Sequence, residues 1–187
     1  MSIVLQGSTS GSVTLQEPAV AGTTVLTLPA VSGTVITTGS SGGVSQSMLA
    51  TGVAGTGPAF SAYQSSGQTL SSATATKLNF QTEEFDTNNN FDSTTNMRFT
   101  PTVAGYYQVN GGLSNNTGTQ TVLYIYKNGG VVKTGTNGSM FLGTVSAIIY
   151  LNGSSDYIEL YGYFASGTTA NTGVQNTYFQ AAMIRAA

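Results

Sequence analysis

The chain of 187 residues contains no cysteine and no histidine. Without thiols there is no disulfide framework, no thiolate metal site and no thiol chemistry. Without imidazole the commonest general base and the commonest transition-metal ligand are both missing. Charge is scarce as well: five Lys and Arg stand against seven Asp and Glu, for a net charge of −2. Charged residues make up 6%, against roughly 25% in an average soluble domain. So few basic side chains cannot form a stripe along a phosphate backbone, which excludes nucleic acid as a partner. No stretch approaches the ~20 apolar residues needed to span a bilayer. The opening MSIVLQGSTSGSV lacks a basic segment followed by an apolar run, so no export signal is expected and synthesis in the cytoplasm is.

Gly, Ser, Thr and Asn fill the space that charge leaves. Hydrophobic residues are 40% and aromatics 10%, enough to build a core and to argue against disorder throughout. The length suits one domain plus an extension. A near-neutral surface offers little repulsion between copies, so the composition predicts assembly, as a homo-oligomer or a lattice component. The alternative is a monomer of low charge.

Residues 1–37 read as a β-type arm with Glu17 as its one charged side chain. Pro18 to Thr23 recurs as Pro29 to Thr34, and each copy follows a short Thr-Leu strand. Val13 and Leu15 alternate with polar neighbours, as do Leu26 and Leu28. Short strands ended by proline bury little alone, so this segment needs a surface to lie on. Val13, Leu15, Val20, Leu26, Leu28, Val31 and Val35 are the expected anchoring residues of an arm that pairs with neighbouring chains. The competing reading is a flexible, low-complexity leader. Residues 38–57 are rich in Gly, Ser and Thr and read as a linker.

From residue 58 strand-sized runs recur between Gly, Asn and Ser turns. Expected strands cover 60–63, 76–80, 97–100, 106–113, 121–127, 131–133, 145–151, 156–164 and 177–185. Asn128-Gly129, Asn137-Gly138, Asn152-Gly153 and Ser166-Gly167 are the expected turns. No segment keeps a helical period over ten residues, so an all-β sandwich follows. The stretch 88–109 organises it: Pro101 ends a short strand, Ala104-Gly105 turns the chain with Gly105 at positive φ, and Tyr107 and Val109 share one face of the next strand. Within 121–127 and 156–164 an aliphatic face opposes a tyrosine face. Tyr124, Tyr126, Tyr161, Tyr163 and Phe179 are the expected subunit contacts, because tyrosine suits a wetter packed interface. The alternative is ordinary sandwich packing beneath loops.

Asp86, Asn88, Asn90 and Asp92 alternate as in the first half of a calcium loop, but Phe91 and Met97 occupy the positions that require glycine and glutamate, which rejects an EF-hand. Calcium between loops or at a subunit axis is the one ion these oxygen ligands suit; no other cofactor or metal is expected. The same residues also read as an Asx-rich turn. Glu83 and Glu84 are adjacent on a strand and diverge, so they do not form an acid–base pair, and no enzyme is expected.

Pro58-Ala59-Phe60-Ser61-Ala62, Asn88 to Asp92, Phe99-Thr100-Pro101, Gly105-Tyr106-Tyr107, Tyr124 to Gly129, Ser155 to Leu160 and Tyr178 to Ala181 together resemble the C1q/tumour-necrosis-factor-like family. The resemblance spans 58–187 and implies a ten-stranded jelly roll and a homotrimer with an apolar three-fold axis. Cysteines and a collagen-like repeat are absent, and Ser155 replaces the glycine the family favours. Residues 11–39 resemble leader segments of bacteriophage virion proteins. The combination implies a virion protein on the capsid surface: a homotrimeric capsid decoration (cement) protein bound to the major capsid protein through its arm. The alternative it leaves open is a short head or tail fibre binding a host receptor or glycan, with Asn115-Asn116 and residues 168–176 as sugar-contacting loop tips.

Overall fold

The computed structural model describes residues 3–6, 8–15, 30 and 57–187. The chain divides into two compact units, Met1–Leu49 and Ala50–Ala187. In the first, β1 (Ile3–Gln6) pairs antiparallel with β2 (Ser12–Leu15), and Gly11 turns the chain at φ 74°. Val4 and Leu5 are exposed on this hairpin.

The second unit carries β3 (Ala59–Tyr63), β4 (Thr69–Leu70), β5 (Thr76–Lys77), β6 (Thr82–Asp86), β7 (Phe91–Asp92), β8 (Arg98–Phe99), β9 (Ala104–Ser114), β10 (Gln120–Lys127), β11 (Gly130–Ser139), β12 (Leu142–Asn152), β13 (Ile158–Phe164), β14 (Thr168–Thr169) and β15 (Tyr178–Ala186). No described residue is helical. One sheet of five strands runs β12-β9-β15-β3-β6; the other runs β11-β10-β13-β8-β7, with β5 also on β13. They are called here the β9 sheet and the β10 sheet. Five of the strands are only two residues long. The remaining long strands make the jelly-roll sandwich expected from the sequence. The extent of β6 and the two-residue pieces β4, β7 and β14 escaped the sequence reading, because they are too short or too mixed to show a period.

Alternation places the core. On β9, Tyr107, Val109 and Leu113 point inward at 0% exposure, while Tyr106, next to Tyr107, is exposed. Leu123 and Ile125 on β10 and Ile158 and Leu160 on β13 close the other side. Phe60 is the hub. Its ring stacks on Phe91 at 4.5 Å and on Phe99 at 4.6 Å, and meets Phe179 edge-on at 5.0 Å. Aromatic pairs in these geometries add to the free energy of burial. The 88–109 stretch thus supplies three core aromatics, Phe91, Phe99 and Tyr107.

Two local expectations change. Gly105 lies inside β9 and is not among the positive-φ residues; the turn sits at 102–103. Glycine is needed there because a Cβ would stand 2.5 Å from the Arg185 carbonyl oxygen on β15. Asn137-Gly138 lies within β11 rather than in a turn. Asn128-Gly129, by contrast, makes the two-residue link between β10 and β11 with φ of 52° and 82°, the hairpin geometry this dipeptide favours.

Tyr107 gives the fold a signature at high pH. Its hydroxyl donates to the Val103 carbonyl at 2.7 Å, and burial pushes the phenol up to about 12. An unfolded tyrosine ionises near 10. Between those values the unfolded chain releases a proton that the native state keeps, so stability falls as pH rises, by about 1.4 kcal/mol per pH unit. Tyr107→Phe is expected to be less stable at neutral pH, by about 1 kcal/mol for the lost hydrogen bond. It should also lose less stability than the parent between about pH 10 and 12. Denaturant melts of both proteins across that range check this; parallel curves would refute it.

Candidate functional site

The sandwich has two outward sheet faces, and their chemistry differs. On the β10 sheet, Tyr124 and Tyr161 pair directly across β10 and β13, and Tyr163 sits opposite Val122. Tyr126 and Tyr161 stack at 3.9 Å with 22° between their planes. All four tyrosines are half-buried. Burial, then the neighbouring phenols, pushes Tyr124 upward; burial, then Glu159, does the same to Tyr161. Both therefore stay neutral through the physiological range. Beside them on the same face of β13, Glu159 is buried, with Lys77 Nζ at 3.2 Å and Arg98 Nη2 at 3.0 Å. Arg98 also lies 4.0 Å over the Tyr157 ring.

Phe179 does not join these tyrosines. It is fully buried in the core against Phe60, Phe80 and Phe91. It is paired with Ala62 in the β15–β3 ladder. Its neighbours Tyr178 and Gln180 point outward instead. A side chain that fills its own core cannot also contact a partner, so the expectation that Phe179 lies at a subunit interface is corrected.

The β9 sheet presents the more apolar outer face. Tyr106, Ile148, Tyr150 and Ile184 are exposed at 44%, 55%, 43% and 54%. Register explains why they gather: Tyr150 pairs with Tyr106, and Ile148 with Gln108 on the same outward side of β9. The Tyr106 and Tyr150 rings lie 5.5 Å apart. Tyr106, Ile148, Ile184 and Arg185 line a cleft of about 500 Å³. At the opposite edge Phe85 on β6 is 51% exposed and pairs with Ser61. Beside the cleft, on β9 and β12, lies an uncharged polar row, Gln108, Asn110 and Ser146, joined by hydrogen bonds of 2.8–3.2 Å. Contiguous exposed apolar surface of this kind marks a contact site. The sequence reading overlooked it. The signal was visible as the outward partners of Tyr107 and Val109, but nothing in one strand shows which other strands lie beside it.

The acidic stretch is built as turns. Asp86 accepts the backbone N–H of Asn88 at 3.2 Å and of Phe91 at 2.6 Å. Asp92 accepts those of Thr94, Thr95 and Asn96. The Thr95 N–H is the main cause that holds the Asp92 carboxyl far below the usual carboxylate range. Both carboxylates thus have backbone partners, the Asx-turn reading of this segment. Asn90 Oδ1 accepts the Thr102 N–H at 3.2 Å. Among the described residues no group of three or more acidic side chains converges on a metal-sized site. Glu83 lines a polar cleft of about 640 Å³ with Asn90, Asp92 and Arg98. Glu84 turns to Ser61, whose hydroxyl donates to it at 2.7 Å.

Asn115 is not a loop-tip ligand. It is 1% exposed; its amide donates to Thr121 Oγ1, and its oxygen accepts the Thr117 and Gly118 N–H groups. Of the arm residues, Val13 and Leu15 lie in β2 with side chains outside what is described, and Val20, Leu26, Leu28, Val31 and Val35 lie outside the described residues.

No protein-family model matches the chain, and no curated protein sequence matches it. Solved structures do. Murine APRIL at pH 8.0 superposes with a TM-score of 0.55 at 9% identity, covering 68% of this chain and 98% of that one. The Eiger TNF of S. frugiperda superposes with a TM-score of 0.54 at 8% identity, covering 70% and 95%. At such identities the likeness concerns architecture, and on that ground the region from residue 58 onward has the TNF-like jelly-roll fold.

Proposed function

We propose that the chain is a structural protein of a bacteriophage virion, a homotrimeric capsid decoration (cement) protein. The jelly-roll heads associate with one another and the arm of each copy binds the major capsid protein. The observation that carries this reading is the outer face of the β9 sheet, where exposed Tyr106, Ile148, Tyr150 and Ile184 border an uncharged polar row. Such a face costs free energy in water and regains it when a second copy covers it. The net charge of −2 opposes that contact weakly. The arm supports the second half of the reading: its described hairpin shows Val4 and Leu5 to solvent, and a two-stranded hairpin of that kind is marginal unless it packs on something. Several arms on one oligomer add avidity without a tight single contact.

Deleting residues 1–37 is expected to leave a soluble oligomer of heads that no longer sediments with capsids. Avidity makes the loss large, 10²-fold or more in apparent affinity. Particle binding by the truncated protein would remove the decoration reading. A second reading, a short fibre that binds a host receptor or glycan, is favoured by the tyrosine face of the β10 sheet. Its hydroxyls and ring edges suit a neutral, amphipathic partner. Binding of the truncated protein to host cells or to a glycan array, without capsid binding by the full chain, would select it.

A further inference from the structure

We propose that the outward side of the β10 sheet, from the polar cleft at β7 and β8 to the tyrosines of β13 and β10, binds a neutral oligosaccharide. This inference rests on the glycan form of the second reading above and gives it a site. The cleft opens where β6 passes into β7, and Glu83, Asn89, Ser93, Asn96, Arg98 and Thr100 line it. Asp92 pairs with Arg98, and Phe91 with Phe99. The two phenylalanines are buried, so alternation turns Asp92 and Arg98 outward. Arg98 then leads to the tyrosines. Its guanidinium holds Glu159 at 3.0 Å and lies 4.0 Å over the Tyr157 ring. Glu159 pairs with Tyr126 across β13 and β10, and Tyr161 pairs with Tyr124. Cleft and tyrosines thus form one strip along the strand order β7-β8-β13-β10.

The groups along this strip select the ligand. Apart from the buried Phe91, no apolar side chain lines the cleft, and its walls are mostly carboxamide and hydroxyl. Sugar hydroxyls both donate and accept, as these groups do. A peptide anchored by apolar side chains would find no pocket here. Charge disfavours phosphates and uronates. Glu83, Asp92 and Glu159 stand against Lys77 and Arg98, three carboxylates to two cations, and both cations already face Glu159. The walls are set before a ligand arrives: Asp92 accepts the N–H groups of Thr94, Thr95 and Asn96, and Asn90 accepts that of Thr102. A preorganised cleft loses little conformational entropy on binding. Its volume of about 640 Å³ lies in the range of small-ligand sites. Beyond it Tyr126 and Tyr161, stacked at 3.9 Å, offer ring edges to sugar C–H groups and phenol hydroxyls to sugar O–H groups.

The test places the full chain on an array of neutral and acidic oligosaccharides and titrates the strongest neutral hit. Neutral members are expected to bind. Ser93→Trp, which puts an indole in the cleft, and Tyr126→Ala should each weaken that hit by roughly tenfold or more, the worth of one or two lost ligand hydrogen bonds. Tyr126→Phe keeps the ring stack and should weaken it by a few-fold, which keeps the test decisive if either larger change folds poorly. Ile148→Ala, on the other sheet, should leave binding unchanged. Binding confined to acidic members, or neutral binding that every strip variant leaves unchanged, overturns the site. Silence across the whole array overturns the saccharide but not the second reading, which has its own measure. Adsorption to host cells that survives periodate oxidation of their surface glycans would keep that reading with a protein receptor. A chain that adsorbs to no host cell removes it as well.

Discussion

Phe60→Ala is expected to lower the unfolding midpoint of the head by roughly 10 to 20 °C, the effect of losing about 3–5 kcal/mol in a domain of this size. The residue is 1% exposed and its ring is held on three sides by Phe91, Phe99 and Phe179. Removing it takes away the transfer free energy of the ring, leaves a cavity, and deletes three aromatic contacts together. The surrounding rings come from β7, β8 and β15, strands paired into both sheets, so they cannot collapse onto the gap without shifting a ladder. A conservative Phe60→Leu should recover about half of the loss, since part of the volume returns without the stacking. Calorimetry or circular dichroism melts check it. A midpoint within 3 °C of the parent, on the same scale of a few degrees per kcal/mol, would mean that the aromatic hub is not the centre of the core.

Gly105→Val is the second large effect, expected at about 2–3 kcal/mol or more. A Cβ at this position would meet the Arg185 carbonyl oxygen at 2.5 Å, the Met183 sulfur at 3.1 Å and the Ala186 Cα at 3.2 Å. Two of those three atoms are backbone of the paired strand, so relief requires β15 to move away from β9 along the Ala186–Gly105 register. The strand preference of valine works in the opposite direction, by at most ~1 kcal/mol, and does not rescue it. Gly105→Ala should already show most of the cost, because the first methyl makes the clash. At Gly118, where φ is +63° and the nearest atoms belong to the exposed Phe141 side chain, Ala should cost only about 1 kcal/mol, a backbone effect alone. Equal losses at the two positions would show that crowding against β15 adds little at Gly105.

Much of this architecture was legible in the residues. The resemblance of Phe99-Thr100-Pro101, Gly105-Tyr106-Tyr107 and Tyr178 to Ala181 to a TNF-like jelly roll agrees with the superposition on murine APRIL. The strand alternation that sends Tyr107 and Val109 inward, and Leu123 and Ile125 with them, is the alternation observed. Other features were not legible. Phe179 read as a surface aromatic because Tyr178, Phe179 and Gln180 contain no repeated apolar pair to mark an inward side. Gly105 read as a turn because glycine serves positive φ and close approach equally well, and a sequence does not separate them. The outward apolar cluster escaped entirely: Phe85, Tyr106, Ile148 and Ile184 are scattered over a hundred positions and share no motif.

What the sequence by itself determined was local. Asn128-Gly129 dictates its hairpin, because positive φ at two successive residues is a preference of those residues alone. The period of two dictates that each long strand has an inner and an outer side. Absent cysteine, absent histidine and scarce charge dictate which chemistries the chain lacks the groups to perform. Only the tertiary structure decided which outer side gathers exposed apolar side chains. That depends on strand order and register, which bring Tyr150 beside Tyr106 and set Phe85 at the far edge of the same sheet. Free energy gained by covering apolar surface depends on how that surface is joined together, and the joining is made by pairings between residues far apart in the chain.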